Sequence, residues 1–189
     1  MSYSAAIRAY ISEIPLGVII CTRDVIHLGS RCAVDQCLYR LVKKDKLVRI
    51  ARGVFVKFGS SLPSIGAVVK RKAEAFGRKV ASHGKALGQA LGLLPESHLT
   101  PIFCQSGGST ALNIMGGTAV LTGTCDRKRF FDERPEGKTI RALWNLRKEP
   151  FLAMSFDDLE ALEERQNIRL APEAAWMPYW MSDRFIRRR

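Results

Sequence analysis

The chain has 189 residues, of which 47% are hydrophobic and 25% charged, ordinary values that leave room for one large domain or two small ones. No apolar run approaches the roughly 20 residues that cross a bilayer, and the opening MSYSAAIRAYISEIP lacks the basic start and apolar core of a secretory signal, so a cytoplasmic protein with no membrane partner is expected. The net charge of +12 instead favours encounter with polyanions.

In chain order, Ser4 to Ile14 carries Ala6, Ile7, Tyr10, Ile11 and Ile14 at three- and four-residue steps and reads as a helix that Pro15 ends. Thr22 is a helix cap for Arg23 to Leu28, with Asp24 in the first turn. Gly29 is expected to stop that helix in the left-handed conformation. Ser30 caps the next helix, Arg31 to about Asp45. Its apolar stripe is Val34, Cys37, Leu38, Leu41 and Val42, while Cys32, Gln36, Tyr39, Arg40 and Lys43 point the other way. Leu47 to Ile50 and Val54 to Phe58 are β-rich runs joined by Ala51-Arg52-Gly53, a short loop with glycine where a hairpin needs it.

Ser60 to Ser64 with Pro63 reads as a linker, which divides the chain into 1–60 and 61–189. Beyond it, helices are expected over Ile65 to Phe76 (with the basic cluster Lys70-Arg71-Lys72), Lys85 to Leu93 and Lys138 to Lys148. Ser155 and Asp158 form a capping box for a further helix to about Arg165. Val80 to Ser82, Leu99 to Gln105, Leu112 to Met115 and Ala119 to Thr124 are candidate strands. Trp176, Tyr179 and Trp180 precede Arg187-Arg188-Arg189; the aromatics are expected to pack as core, with a partner-facing patch as the alternative. The fold class is therefore α+β: an N-terminal winged helix-turn-helix followed by a mixed α/β domain.

That N-terminal order suits DNA. A helix-turn-helix needs a tight turn and a second helix with one face for its own domain and one for the groove. Ser30 and Arg31 lie where that helix approaches phosphate. Gln36 and Arg40 suit base edges. Tyr39, Lys43 and Lys44 suit the backbone, and Arg49 and Arg52 arm the hairpin. The charge agrees: residues 1–60 hold 10 basic and 4 acidic residues and 61–149 hold 14 and 7, against 6 and 7 in 150–189.

The string Pro15-x-Gly17 … Asp24 … Leu28-Gly29-Ser30-Arg31 … Val34-Asp35-Gln36-x-Leu38-x-Arg40-Leu41-Val42-Lys43 … Leu47 … Arg49-Ile50-Ala51-Arg52-Gly53-Val54-Phe55 resembles the N-terminal domain of AbiEi-type antitoxins, closest to a branch of their uncharacterised relatives. Gly84-Lys85-Ala86-Leu87-Gly88-x-Ala90-Leu91-Gly92-Leu93 continues the likeness more loosely, so that it spans most of residues 4–149. The resemblance implies the antitoxin of a type IV toxin–antitoxin pair. Such a protein represses its own operon through upstream double-stranded DNA and neutralises a nucleotidyltransferase-like toxin through its C-terminal domain. It also implies a role in phage defence. A homodimer on inverted half-sites fits this use. The Trp- and Arg-rich tail departs from the family, which leaves a solitary winged-helix regulator as an alternative.

Catalytic chemistry finds little footing. Cys21, Cys32, Cys37, Cys104 and Cys125 are odd in number and form no C-x-x-C, and His27, His83 and His98 are scattered, so neither a disulfide framework, a metal site nor a cofactor is expected. Gly107-Gly108 is not followed by Lys-Ser or Lys-Thr and reads as a turn. Cys104 with His83 or His98 as nucleophile and base has no local support, and Ile-Phe-Cys reads as a buried strand. A metal-dependent nuclease would rely on Asp126, Asp132, Glu133 and Glu136, but these lie among Arg127, Lys128, Arg129 and Arg134 and read as a salt-bridged loop. No catalytic residue is assigned and no enzyme is expected.

Overall fold

Ser2 opens the first helix by accepting a hydrogen bond from the Ala5 amide, as an N-cap serine does. The computed structural model describes residues 2–96, 100–129 and 133–187. The fold is mixed α+β, and the chain divides into two compact units, Met1–Lys79 with Ala111–Ala119, and Val80–Thr110 with Val120–Arg189.

In the first unit, α1 (Tyr3–Glu13) buries Ile7 and Ile11. A short strand, β1 (Ile20–Cys21), leads into the segment that the sequence reads as a helix from Arg23 to Leu28. Two single 3-10 turns stand there instead, Thr22–Asp24 and Ile26–Leu28. The groups here are claimed partly by near and partly by distant partners. Asp24 accepts from the Cys21 amide at 2.8 Å and pairs with Arg71 at 2.6 Å. The buried Thr22 donates its amide to the Gly53 carbonyl at 3.0 Å. Gly29 is extended (φ 174°) rather than left-handed. Glycine belongs there for another reason: a Cβ would sit 3.1 Å from the Tyr3 side chain.

Ser30 caps α2 (Arg31–Lys43) by accepting from the Ala33 amide. The helix stops two residues before the expected Asp45, which takes φ 50°. β2 (Leu47–Ala51) and β3 (Val54–Lys57) pair antiparallel with a bulge between Arg49 and Ala51, and β1 pairs with β3. Gly53 closes the turn at φ +72°, where only glycine is comfortable. The core joins Ile7, Ile20, Val25, Val34, Leu38 and Leu47. α3 (Ile65–Ala75), capped by Ser64, belongs to this unit, which therefore runs past the linker where the sequence draws its boundary.

The second unit pairs β4 (Val80–Ser82) antiparallel with β5 (Ile102–Gln105). The candidate strand from Leu99 begins outside the described residues and is found from Ile102. A hairpin of β6 (Thr110–Ile114) and β7 (Gly117–Gly123) contributes to both units: Ala51 faces Ile114 in the first, and Ile102 to Gln105 run parallel to Val120 to Gly123 in the second. α4 (Gly84–Ala90) lies against α6 (Pro135–Asn145), after the single turn α5 (Asp126–Arg129). The helix expected to Lys148 breaks at Arg147, whose φ is 70°, and resumes as α7 (Lys148–Ala153). α8 (Phe156–Gln166) carries the full Ser155/Asp158 capping box. After a 3-10 stretch, Ala171–Trp176, the chain ends its described part with α9 (Tyr179–Ile186).

The core of this unit gathers Ile140, Leu143, Phe151, Leu159, Leu170 and Met181. Of the three tail aromatics expected inside, Trp180 packs on that core, Trp176 is 37% exposed and Tyr179 is 77% exposed. Met177, Met181 and Phe185 occupy the inward face in place of Tyr179. Arg188 and Arg189 lie outside the described residues.

Candidate nucleic-acid interface

α2 separates its two faces cleanly. Val34, Cys37, Leu38 and Leu41 are buried, while Cys32, Gln36, Tyr39, Arg40 and Lys43 are exposed. Tyr39, a residue that folding would bury if it could, is 61% exposed. The Lys43 ammonium stands 5.7 Å from the centre of its ring, a weak cation–π contact at an exposed site. Asp35, the one carboxylate of this helix, is held by Arg31 at 2.8 Å on the flank of the outward face. Ser30, Lys44, Arg49 and Arg52 are exposed as well. The structure thus brings all nine expected residues to the surface of one unit. The Ser30 hydroxyl itself is engaged by the Ala33 amide, so its main work is to start α2.

Beside α2 lies a cleft of about 690 Å³, walled by the first 3-10 turn, α2, the β2–β3 hairpin and α3. Arg23, Arg31, Arg49, Arg52 and Lys72 line it, with Asp35 as the single acid among the described residues. Tyr39, Phe55 and Phe76 supply aromatic surface. The hairpin tip is pinned at the cleft: Thr22 holds the Gly53 carbonyl, and the Lys72 ammonium donates to the Arg52 carbonyl at 3.0 Å. A Cβ on Gly53 would meet the Thr22 hydroxyl at 3.2 Å. The Arg23 guanidinium stacks 4.3 Å from the centre of the Phe76 ring, and Arg78 lies 5.8 Å from the same ring.

Burial lowers the Lys72 ammonium from its ordinary range, and the charge of Arg52 adds to the effect. The Asp24–Arg71 pair fixes α3 against the 3-10 turn. Burial works to lower the Arg71 value, but the hydrogen bond and charge of Asp24 win and raise it.

Arg23, Lys72 and Phe76 are residues the sequence reading did not assign. A signal existed for Lys72. At about 100° per residue it falls between Val68 and Val69 on the stripe that α3 turns to its own core, an unusual place for a lysine.

Of the acids considered for a nuclease, Glu133 is tied into the fold. Glu133 accepts from the Ser82 amide at 2.8 Å and the Ser82 hydroxyl at 3.0 Å, and pairs with Lys138 at 3.4 Å and Arg141 at 3.7 Å. Asp132 lies outside the described residues, as does His98. Among the described residues no three of His, Cys, Asp and Glu gather as a metal site, and no helix is long and apolar enough to cross a membrane. Cys104 is buried.

The protein belongs to a family of unknown function (DUF6088), which it matches over residues 6–167. Neither the curated proteins nor the solved structures contain a match to it.

Proposed function

We propose that the first unit is a winged helix-turn-helix that binds duplex DNA, with α2 in the major groove and the β2–β3 hairpin against the flanking backbone. The observation that carries this reading is the outward face of α2. It is exposed, carries Gln36, Tyr39, Arg40 and Lys43, and has its only acid tied to Arg31 at the edge. A major groove about 12 Å wide accepts such a helix and presents the acceptors and donors that arginine and glutamine pair with. Arg40 and Gln36 then meet base edges. Arg31, Tyr39, Lys43, Lys44, Arg49 and Arg52 meet phosphate and sugar.

The likeness to AbiEi-type antitoxins extends the proposal. The chain represses the operon that encodes it, as a homodimer on paired half-sites, and its second unit contacts a nucleotidyltransferase-like toxin. The reading needs no cofactor and assigns no catalytic residue.

The test is the affinity of the full chain for the DNA upstream of its own gene, measured by fluorescence anisotropy, with Arg40→Ala and Arg52→Ala combined. Loss of one base-edge arginine costs about 1–3 kcal/mol of discrimination, so preference over unrelated DNA should fall at least several-fold. Wild-type affinity in the double variant contradicts the proposal. Co-expression with the neighbouring gene product tests the antitoxin part separately: survival that depends on residues 120–189 of the second unit supports it, and a neighbour harmless on its own removes it.

A further inference from the structure

The cleft beside α2 holds more positive charge than folding can use. Among the described residues five cations line it, and the single acid, Asp35, is taken up by Arg31. Among the described residues, Arg23, Arg49, Arg52 and Lys72 have no carboxylate within ion-pair distance. Like charges so placed repel one another and weaken the fold unless an anion joins them.

Lys72 sharpens the point. It stands between Val68 and Val69 on the core-facing stripe of α3 and is partly buried there. Its ammonium donates to the Arg52 carbonyl, which uses one of its three donors, and the residue lines the cleft. Arg23 is similarly prepared. Its guanidinium lies over the Phe76 ring, 4.3 Å from the ring centre, and a guanidinium held on an aromatic face can still present its fork of donors to phosphate oxygens. Arg31 and Tyr39 of α2 and Arg49 and Arg52 of the hairpin line the same space, so a backbone strand that follows α2 along its groove reaches this cleft.

We propose that Arg23 and Lys72 hold a phosphodiester of the DNA backbone in this cleft, so that the contact with the duplex reaches past α2 and the hairpin onto the first 3-10 turn and α3. The proposal rests on the DNA-binding reading and adds two residues and one helix to it.

The experiment measures the affinity of the full chain for the DNA upstream of its own gene across a series of potassium chloride concentrations. It compares the wild type with Arg23→Gln, Lys72→Gln and, as control, Lys70→Gln. Lys70 is exposed and lies on the side of α3 away from Val68 and Val69. Each phosphate contact contributes about 0.9 to the slope of log K against log salt. Arg23→Gln and Lys72→Gln should each flatten the slope by about that amount, and Lys70→Gln should leave it unchanged. Thermal melting shows whether each variant is folded. Should Lys72→Gln melt early, Arg23→Gln decides alone, because its side chain lies at the surface.

Slopes equal to the wild type in folded variants overturn this proposal and leave the DNA-binding reading standing. A wild type that binds no duplex at low salt overturns both. Inorganic phosphate serves as the remaining arm. If it raises the melting temperature of the wild type but not of Lys72→Gln, while the slopes stay unchanged, the cleft is a seat for free anions and the proposal fails.

Discussion

Gly84→Ala replaces a single hydrogen with a methyl group at the place where α4 meets α6. The added Cβ would lie 2.1 Å from the Arg141 carbonyl oxygen and 2.8 Å from the Asn145 Cβ. The nearer atom belongs to the backbone of a helix and cannot rotate away. Relief requires α4 to retreat by about 1 Å, and a radial gap of that size forfeits up to about half of each dispersion contact across the interface. Overpacking in a filled core costs about 1–3 kcal/mol, and the rigid obstruction puts this site at the upper end. The better helix propensity of alanine offsets at most about 1 kcal/mol. A net loss of about 2 kcal/mol is expected. The chain's three tryptophans, Trp144, Trp176 and Trp180, all lie in the second unit, so urea unfolding followed by tryptophan fluorescence reads that unit directly. Gly108→Ala, where a Cβ meets nothing within 4 Å, is the matched control and should stay within about 0.5 kcal/mol of the wild type. Equal stability of Gly84→Ala and the wild type would refute the close approach of α4 and α6.

Other consequences follow from the same geometry. Asp24→Ala leaves the Cys21 amide and the Arg71 guanidinium without their acceptor; lost hydrogen bonds to a charged group cost about 1.5–3 kcal/mol, visible as earlier thermal melting by circular dichroism. At Glu133 burial works to raise the carboxyl value, but the two Ser82 hydrogen bonds and then Arg141 and Lys138 outweigh it, and the net shift is downward. Its stabilising contribution is therefore complete above the unfolded value of about 4.3 and is lost as pH falls through the lower folded value. Glu133→Gln should remove this part of the acid sensitivity, measured by denaturant unfolding across that range. Cys32 and Cys125 are exposed, whereas Cys21 is buried, and its thiol is pushed up to about 11, chiefly by burial. A maleimide at neutral pH should label the first two rapidly and Cys21 only on unfolding, with peptide mass spectrometry as the readout.

Much of the first unit could be read from spacing because its signals are local. Ser30 before an apolar stripe at helical steps gives both the start and the buried face of α2, and glycine after Arg52 marks the hairpin. What failed there depends on distant atoms. Nothing near Thr22 and Asp24 announces that Gly53 and Arg71 will claim their hydrogen-bonding groups and replace a helix with two turns. Gly29 by its position suggests conformational freedom, yet the structure uses its lack of a side chain beside Tyr3. In the second unit, the break at Arg147 needs a positive φ that no glycine or asparagine advertises. The pairing of Ala51 with Ile114 joins strands far apart in sequence, which no local pattern encodes. The exposed face of α2 was legible from its polarity. The cleft was only half legible, because Lys72 can be placed on the inner stripe of α3 by counting, but its meeting with Arg52 cannot.

The most direct test is a hydroxyl-radical footprint of the purified full chain on the DNA upstream of its own gene, at an ionic strength near 0.15 M. If α2 occupies the groove, a bounded stretch of backbone is protected and the protection disappears with Arg40→Ala and Arg52→Ala together. Uniform cleavage of that DNA at saturating protein, or protection that the paired substitution leaves untouched, contradicts the account.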